Sequence, residues 1–299
     1  MKTGFVGIIG RPNVGKSTLL NAILGEKIAI TTEKPQTTRN AIRGIYTHYS
    51  DDELPEDLQM IFIDTPGIHR PRTKLGSYMT DAAIGTLKEV DAIIFIVDDN
   101  LSDGPGDKYI VDLLDDVVTP KILVINKIDK MQPDEFAEIY KEYEDLGLFE
   151  EIIGVSAKEG THVENVIKEV AQFMEEGPMY FPDDMITEHP ERFVVSEIIR
   201  EKILMYLQDE VPHGVAVEIE QYKEEEKITK IHAVIYCEKK SHKGMIIGKG
   251  GRKLKGIGKS AREEIEVLLG TKVYLELWVK VKENWRDSDV ALSNFGYKE

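Results

Sequence analysis

Between Gly10 and Ser17 the chain reads GRPNVGKS, with the apolar run FVGIIG before it and KSTLLNAILG after it. A short β-branched run reads as a buried strand, and the spacing that follows reads as a helix. The motif G-x-x-x-x-G-K-S therefore stands between a strand and a helix, as a phosphate-binding loop must. Its glycines let backbone N–H groups converge on phosphate oxygens at a helix N-terminus, which favours anions. This arrangement predicts that Gly10, Asn13, Val14, Gly15, Lys16, Ser17 and Thr18 line a nucleotide. Lys16 would reach the β- and γ-phosphates and the Ser17 hydroxyl would bind Mg²⁺.

The rest of the first half keeps the rhythm that this loop requires. MIFIDTPG, DAIIFIVD, KILVINK and IIGVSAK are short apolar runs bounded by Gly, Pro, Asp or Asn. Between them lie helical patterns such as DAAIGTLKEV, PDEFAEIYKEYEDLG and HVENVIKEVAQFM. Strands alternating with helices predict an α/β, doubly wound and mostly parallel sheet over residues 1–175. The acidic SDDELPEDL is expected to be a solvated hairpin loop.

Three further motifs follow strands, and a fourth lies between the others. In NKID, the Asp129 carboxylate can accept both N1–H and N2–H of guanine, a donor pair that adenine lacks. Asn126 would brace the loop and Lys127 cover the ring. In SAK, comprising Ser156, Ala157 and Lys158, the Ala157 N–H could meet guanine O6. In DTPG, Asp64 would hold Mg²⁺ through water and the Gly67 N–H would bond the γ-phosphate and sense its loss. KPQTTR supplies a threonine for Mg²⁺ and γ-phosphate, and Thr38 is expected rather than Thr37. Lys16, Thr38 and Gly67 thus form the expected catalytic set. The segment after Gly67 carries Arg70, Arg72 and Lys74 among turn formers, so it is expected to rearrange when the γ-phosphate leaves.

Residues 176–191, with Pro178, Pro182 and Pro190 and no sustained period, read as a linker. Beyond it the order becomes α-β-β-α-α-β over residues 192–299, an α+β arrangement. The chain has a net charge of −16, which argues against a general polyanion binder. Yet KKSHKGMIIGKGGRKLKGIGKSAR, Lys239 to Arg262, holds nine Lys or Arg and no acid, leaving the remainder nine units more negative than the whole. Such segregation points to a local site. Single Cys237 cannot form an intramolecular disulfide, and no apolar run approaches the roughly 18 residues of a membrane span. Together with an opening strand in place of a secretory leader, these predict a cytoplasmic protein. The seven histidines show no ligand spacing, so no zinc site is expected. Trp278 and Trp285 read as core and packing residues rather than base-stacking platforms.

The five motifs, in this order, resemble those of the translation-factor-related GTPases over about the first 175 residues. Paired with the C-terminal segment, they are similar to the Era family of ribosome-assembly GTPases over nearly the whole chain. The resemblance implies a C-terminal KH domain of the second topological type. It also implies hydrolysis of GTP to GDP and phosphate with Mg²⁺, and binding of small-subunit ribosomal RNA near its 3′ end during assembly of the small ribosomal subunit. A monomer with weak peripheral membrane association is within that expectation. A KH domain brings a G-x-x-G turn and a helix N-terminus to about four unpaired nucleotides. Here that turn is Gly248, Lys249, Gly250 and Gly251, with Ile247 in the groove wall and Arg252, Lys253 and Lys255 supplying charge. The chain departs from the Ras-type pattern at Ile68, where a water-orienting glutamine would stand. GTPases with an apolar residue at this position often recruit K⁺ through a phosphate-loop asparagine, which matches Asn13. Two other classes stay open: a signalling GTPase whose C-terminal domain binds a protein, and an RNA-binding module with a static nucleotide.

Overall fold

The structure is a computed structural model and describes residues 1–299 other than 33, 35, 53, 70, 72, 100–104, 208–213 and 298–299. Packing divides the chain into two compact units. One comprises Met1–Ala29, Thr38–Pro71 and Met79–Glu188; the other comprises Ile30–Thr37, Arg72–Tyr78 and His189–Glu299.

The first unit is built on β1 (Lys2–Ile9), β2 (Ile42–His48), β3 (Leu58–Asp64), β4 (Ala92–Val97), β5 (Lys121–Ile125), β6 (Glu151–Gly154) and the short β7 (Glu175–Glu176). The seven strands lie in the order β2-β3-β1-β4-β5-β6, with β7 antiparallel to the start of β1. Pairs β1·β3, β1·β4, β4·β5 and β5·β6 are parallel, so the doubly wound expectation holds. Strand β1 sits where the winding reverses, and the crevice beyond the carboxyl ends of such strands is where this architecture binds ligands. Every residue of β3, β4 and β5 is buried, because both faces of the sheet are covered. On one face Val6, Ile8, Ile94 and Val124 pack with α1 (Lys16–Leu24) and α5 (Val163–Ala171). On the other, Ile9, Phe95 and Ile125 pack with residues of α2 (Lys74–Thr86), α3 (Pro105–Asp115) and α4 (Pro133–Glu144).

Strand β2 was not legible as a strand. It runs antiparallel to β3, and its IRGIYTH interrupts any alternation with Gly44. A Cβ there would lie 2.6 Å from Leu24 Cδ1 and 2.8 Å from Leu20 Cδ1, so this glycine serves the packing of α1 rather than breaking the strand. Residues 177–188 also have an address. The buried Gln59 side chain accepts from the N–H of Tyr180 at 2.7 Å and of Phe181 at 2.9 Å, and donates to the Phe181 carbonyl at 2.8 Å. Ile45 N–H donates to Ile186 O, and Thr187 donates to Arg43 O. The proline-bearing stretch therefore follows β2 and β3 through one backbone hydrogen bond and the side chains of Gln59 and Thr187.

The second unit contains α6 (Glu191–Tyr206), β8 (Ala216–Glu225), β9 (Ile228–Cys237), α7 (Lys240–Ile247), α8 (Arg252–Leu269), β10 (Lys272–Val281) and α9 (Asp289–Asn294). Its three-stranded sheet has the order β10-β9-β8, with β9·β10 parallel and β8·β9 antiparallel. Ile231, Ala233 and Ile235 of β9 meet Ile198, Ile246, Ile257 and Ile265 from the helices. On β10 it is Val273 and Val279 that join this core. Successive strand residues face opposite ways, so Trp278 is turned outward and is 58 % exposed, contrary to the expectation that it is a core residue. Trp285 is fully buried, its indole N–H donating to Gly214 O at 2.9 Å. Helix α6 buries four charged side chains in pairs, with Arg200 on Glu197 and Lys202 on Glu201 and Glu264. Among the described residues, no helix is long and apolar enough to cross a membrane.

Substituting Gln59→Leu would keep the volume but leave the partly buried amides of Tyr180 and Phe181 without their acceptor. The expected loss is about 2 kcal/mol or more in denaturant unfolding. Chymotrypsin should also cut earlier at Tyr180 in limited proteolysis.

Candidate functional site

Three segments converge at the carboxyl ends of β1 and β3. The turn after β3 is laced to the phosphate loop: the Thr65 hydroxyl donates to Ile8 O at 2.8 Å, and Ile68 N–H donates to Gly10 O at 3.1 Å. The contact is close enough that a Cβ on Gly67 would lie 2.7 Å from Pro12. Within the loop, Gly15 has φ 110°, and a Cβ on it would lie 2.1 Å from Asn126 Nδ2. That amide donates to Val14 O at 2.7 Å, tying the NKID motif to the phosphate loop.

At the mouth of the loop, Lys16 Nζ donates to the carbonyls of Gly10 at 3.2 Å and Arg11 at 2.8 Å. Burial pulls its pKa down to about 8, against the pull of the Asp64, Asp107 and Asp98 carboxylates. Asp64 moves the opposite way: burial raises it to about 6, resisted by Lys16 and by hydrogen bonds from Ser17 and Thr38. Both shifts disfavour charge in a site cut off from water. Ser17 Oγ donates to Asp64 Oδ2 at 2.6 Å and lies 2.8 Å from Thr38 Oγ1, which itself is 3.3 Å from Asp64 Oδ2. The other carboxylate oxygen, Oδ1, is buried without a hydrogen-bond partner among the described residues. Two hydroxyls and a carboxylate with an unused oxygen form a hard-oxygen donor set that fits Mg²⁺. Thr38, not Thr37, supplies the second hydroxyl; Thr37 Oγ1 turns to Lys34 O at 2.6 Å. Ile68 is 1 % exposed and packs in the core with Ala83 and Leu87, so its side chain does not reach into the site. Of the cations after Gly67, Arg70 and Arg72 lie outside the described residues. Lys74 begins α2 and pairs with Asp289 at 2.5 Å.

The base-recognition loops meet beside this end. The Ser156 hydroxyl donates to Asp129 Oδ1 at 2.6 Å, which holds that exposed carboxyl below its ordinary pKa and fixes its orientation. Asn126 Oδ1 accepts the Ala157 N–H at 3.0 Å, so this N–H is already engaged within the protein. Lys158 is exposed and pairs with Glu159 at 3.3 Å. Lys127 has a left-handed backbone, φ 66°, and its ammonium donates to Asn13 O at 2.9 Å. The same ammonium pairs with Asp98, and Asp98 with Arg11. Sequence reasoning passed over Arg11 and Asp98, since one is a variable letter of the motif and the other a lone acid closing an apolar run.

In the second unit the basic stretch forms two helices around the expected turn. Gly248, Gly250 and Gly251 have φ of 71°, 61° and 75°, a run of left-handed conformations that L side chains rarely adopt. Gly251 N–H closes the turn on Gly248 O at 3.1 Å, and α8 starts at Arg252 with no acid in its first turn. Lys249, Arg252 and Lys255 are exposed and Lys253 is half-buried, while Ile247 and Leu254 lean on the core around Ile246.

A phosphate loop, a guanine-selective acid and a glycine turn on a basic helix pair define a GTPase joined to a KH-type module. Comparison with known proteins agrees. A family model described as 50S ribosome-binding GTPase matches residues 5–127, and one described as KH domain matches residues 210–286. GTPase Era of Alkaliphilus oremlandii is 61 % identical over 298 residues, spanning 99 % of both chains. That of Clostridioides difficile is 56 % identical over 100 % of this chain and 99 % of its own. Among solved structures, Era in complex with MgGDPNP and nucleotides 1506–1542 of 16S ribosomal RNA superposes with TM-score 0.93 at 39 % identity, covering all of both chains. A tyrosine-to-alanine variant of Aquifex aeolicus Era, bound to GDP and AlF₄⁻, gives 0.92 at 39 %, with the same coverage. The chain belongs to the Era family of GTPases.

Gly15→Ala should weaken GDP binding at least about 100-fold, since backbone strain and the Asn126 clash together distort the loop. Isothermal titration measures this, and a retained far-UV spectrum would confine the effect to the site.

Proposed function

We propose that the chain is a GTP-hydrolysing switch acting in small-subunit assembly, binding small-subunit ribosomal RNA near its 3′ end through residues 192–299. Residues 1–175 would carry the nucleotide, with 176–191 as the connection. The observation that carries this reading is full-length similarity to an Era structure holding both MgGDPNP and a 16S ribosomal RNA fragment. The 50S wording attaches to a family model that covers residues 5–127 alone. The same similarity supports a cytoplasmic site of action.

In this reading the loop N–H groups from Gly10 to Thr18 bind the phosphates, and Lys16 places its charge at the transferred phosphoryl group. Ser17, Thr38 and Asp64 would hold Mg²⁺, with Asp64 Oδ1 the acceptor left unused within the described residues. Bound Mg²⁺ supplies charge neutralisation across the β- and γ-phosphates. Asp129 reads guanine, oriented by Ser156, while Asn126 locks the loops together. Gly67 reports the γ-phosphate through its N–H. No side chain at position 68 can orient water, so hydrolysis rests on charge and positioning. K⁺ held in part by Asn13 would add a further positive charge. Hydrolysis should accordingly run faster in K⁺ than in Na⁺, and Asn13→Ala should remove the difference; equal wild-type rates in the two salts would exclude the ion.

RNA would run along the G-x-x-G turn, with Lys249, Arg252, Lys253 and Lys255 on phosphates and Ile247 under the bases. The alternative, a C-terminal domain that binds a protein, draws on the exposed Trp278 and Tyr274 of the sheet. No atom lies near the missing Cβ of Gly250, and Asp tolerates a left-handed backbone better than most residues, so Gly250→Asp adds a negative charge at the cost of some backbone strain. Gly250→Asp and Lys253→Glu should each weaken binding of a 16S 3′-end oligonucleotide at least about tenfold at fixed salt. GDP affinity should stay within about twofold. Unchanged RNA affinity in both variants would favour the protein-binding alternative.

A further inference from the structure

At the carboxyl end of β4, Asp98 stands between two cations drawn from different motifs. Its Oδ1 lies 3.3 Å from Arg11 Nη2 in the phosphate loop, and its Oδ2 pairs with the Lys127 ammonium of NKID. That ammonium also donates to Asn13 O at 2.9 Å. Arg11 is fixed from its other side, with Nε 2.7 Å from Oδ2 of Asp107, a carboxylate without solvent exposure at the start of α3. Burial raises the Asp107 carboxyl to about 6, which still leaves it largely ionised at neutral pH. The guanidinium is therefore pinned between two anions.

An exposed ion pair would merit little weight. Asp98 differs because its side chain is 18 % exposed and bridges two cations drawn from different motifs. Lys127 also needs an anchor, since its left-handed backbone is unfavourable for a residue with a side chain. The Asn13 carbonyl alone is a neutral acceptor, weaker than a carboxylate.

We infer that Asp98 is a positioning residue for guanine recognition: it holds the Lys127 ammonium on the Asn13 carbonyl, so that the lysine stem forms a fixed wall for the purine. Arg11 and Asp107 keep Asp98 in place from the phosphate-loop side. The effect on nucleotide then passes through Lys127, and this separates the role from a general contribution to folding.

The inference rests on the reading of this site as a guanine-nucleotide site. The test is a double-mutant cycle on GDP affinity with the full chain, comparing wild type, Asp98→Ala, Asp98→Asn, Lys127→Ala and the two doubles. Each Asp98 variant should bind GDP at least about tenfold more weakly, the size expected for a lost charge-assisted hydrogen bond. In the Lys127→Ala background the same substitutions should cost less than about twofold. In GTP turnover the single variants should raise KM by a larger factor than they lower kcat. Equal costs in both backgrounds, or wild-type affinity in Asp98→Asn, would overturn the inference. Should Asp98→Ala not fold, the shape-conserving Asp98→Asn carries the cycle alone. A wild-type protein that fails to bind GDP would instead overturn the underlying reading of the site.

Discussion

The nucleotide end of this protein depends on how closely backbone can approach backbone around the phosphate loop. The loop between β1 and α1 passes so near the turn after β3 that position 67 has no room for a Cβ beside Pro12. It passes so near the NKID loop that position 15 has none beside Asn126. Because those distances are fixed, the Thr65 and Ile68 hydrogen bonds can form, and Asp64 arrives against Ser17. The side chains of the site are consequences of that fit. Close packing of this kind transmits small displacements rather than absorbing them, so a contact made by Gly67 can be felt along the segment that follows it.

The same closeness shapes the electrostatics. Lys16 and Asp64 are both removed from water, and each is pushed toward its neutral form while the other pulls it back. An unpartnered carboxylate oxygen in such a place is costly unless something cationic or protic completes it. The residues that form the site are thus less stable alone than with a phosphate for Lys16 and a cation for Asp64. Among these groups it is Asp64 Oδ1 that folding leaves without a hydrogen bond, while Lys16 is held by the carbonyls of Gly10 and Arg11.

Much of this was legible in the sequence, because the motifs are local and their chemistry follows from residue type. GRPNVGKS, DTPG, NKID and the G-x-x-G turn each occupy a few consecutive residues at the end of a strand or between helices. What escaped reading depends on contacts distant in sequence. Ile42–His48 goes unread as a strand because only the packing of α1 on Gly44 explains the break in its alternation. The stretch from Gly177 to Glu188 reads as loose chain until Gln59 is found to hold its amides. Trp278 reads as core because large apolar residues usually are, and only the register of β10 turns it outward. Asp98 and Arg11 lie 87 residues apart, and nothing in either neighbourhood announces the other.

Two glycine turns lead into helix N-termini in this chain, and they share a principle while differing in enclosure. Both use glycines with positive φ to lead into a helix N-terminus, α1 in one case and α8 in the other. In the first, Lys16 is 5 % exposed and its charge is modulated by three carboxylates. Such a site closes around one small ligand and can distinguish a single phosphate. In the second, Lys249, Arg252 and Lys255 stand in solvent, with the helix start free of acids. Exposed cations are screened by salt and cannot make so fine a distinction, but they can follow a chain that extends in both directions. A net charge of −16 over the whole chain then matters, since under the proposed function it would repel nucleic acid from other surfaces and favour contact at the basic helix pair. Under the proposed function, acidity elsewhere and basicity at the turn would act together to direct where RNA binds.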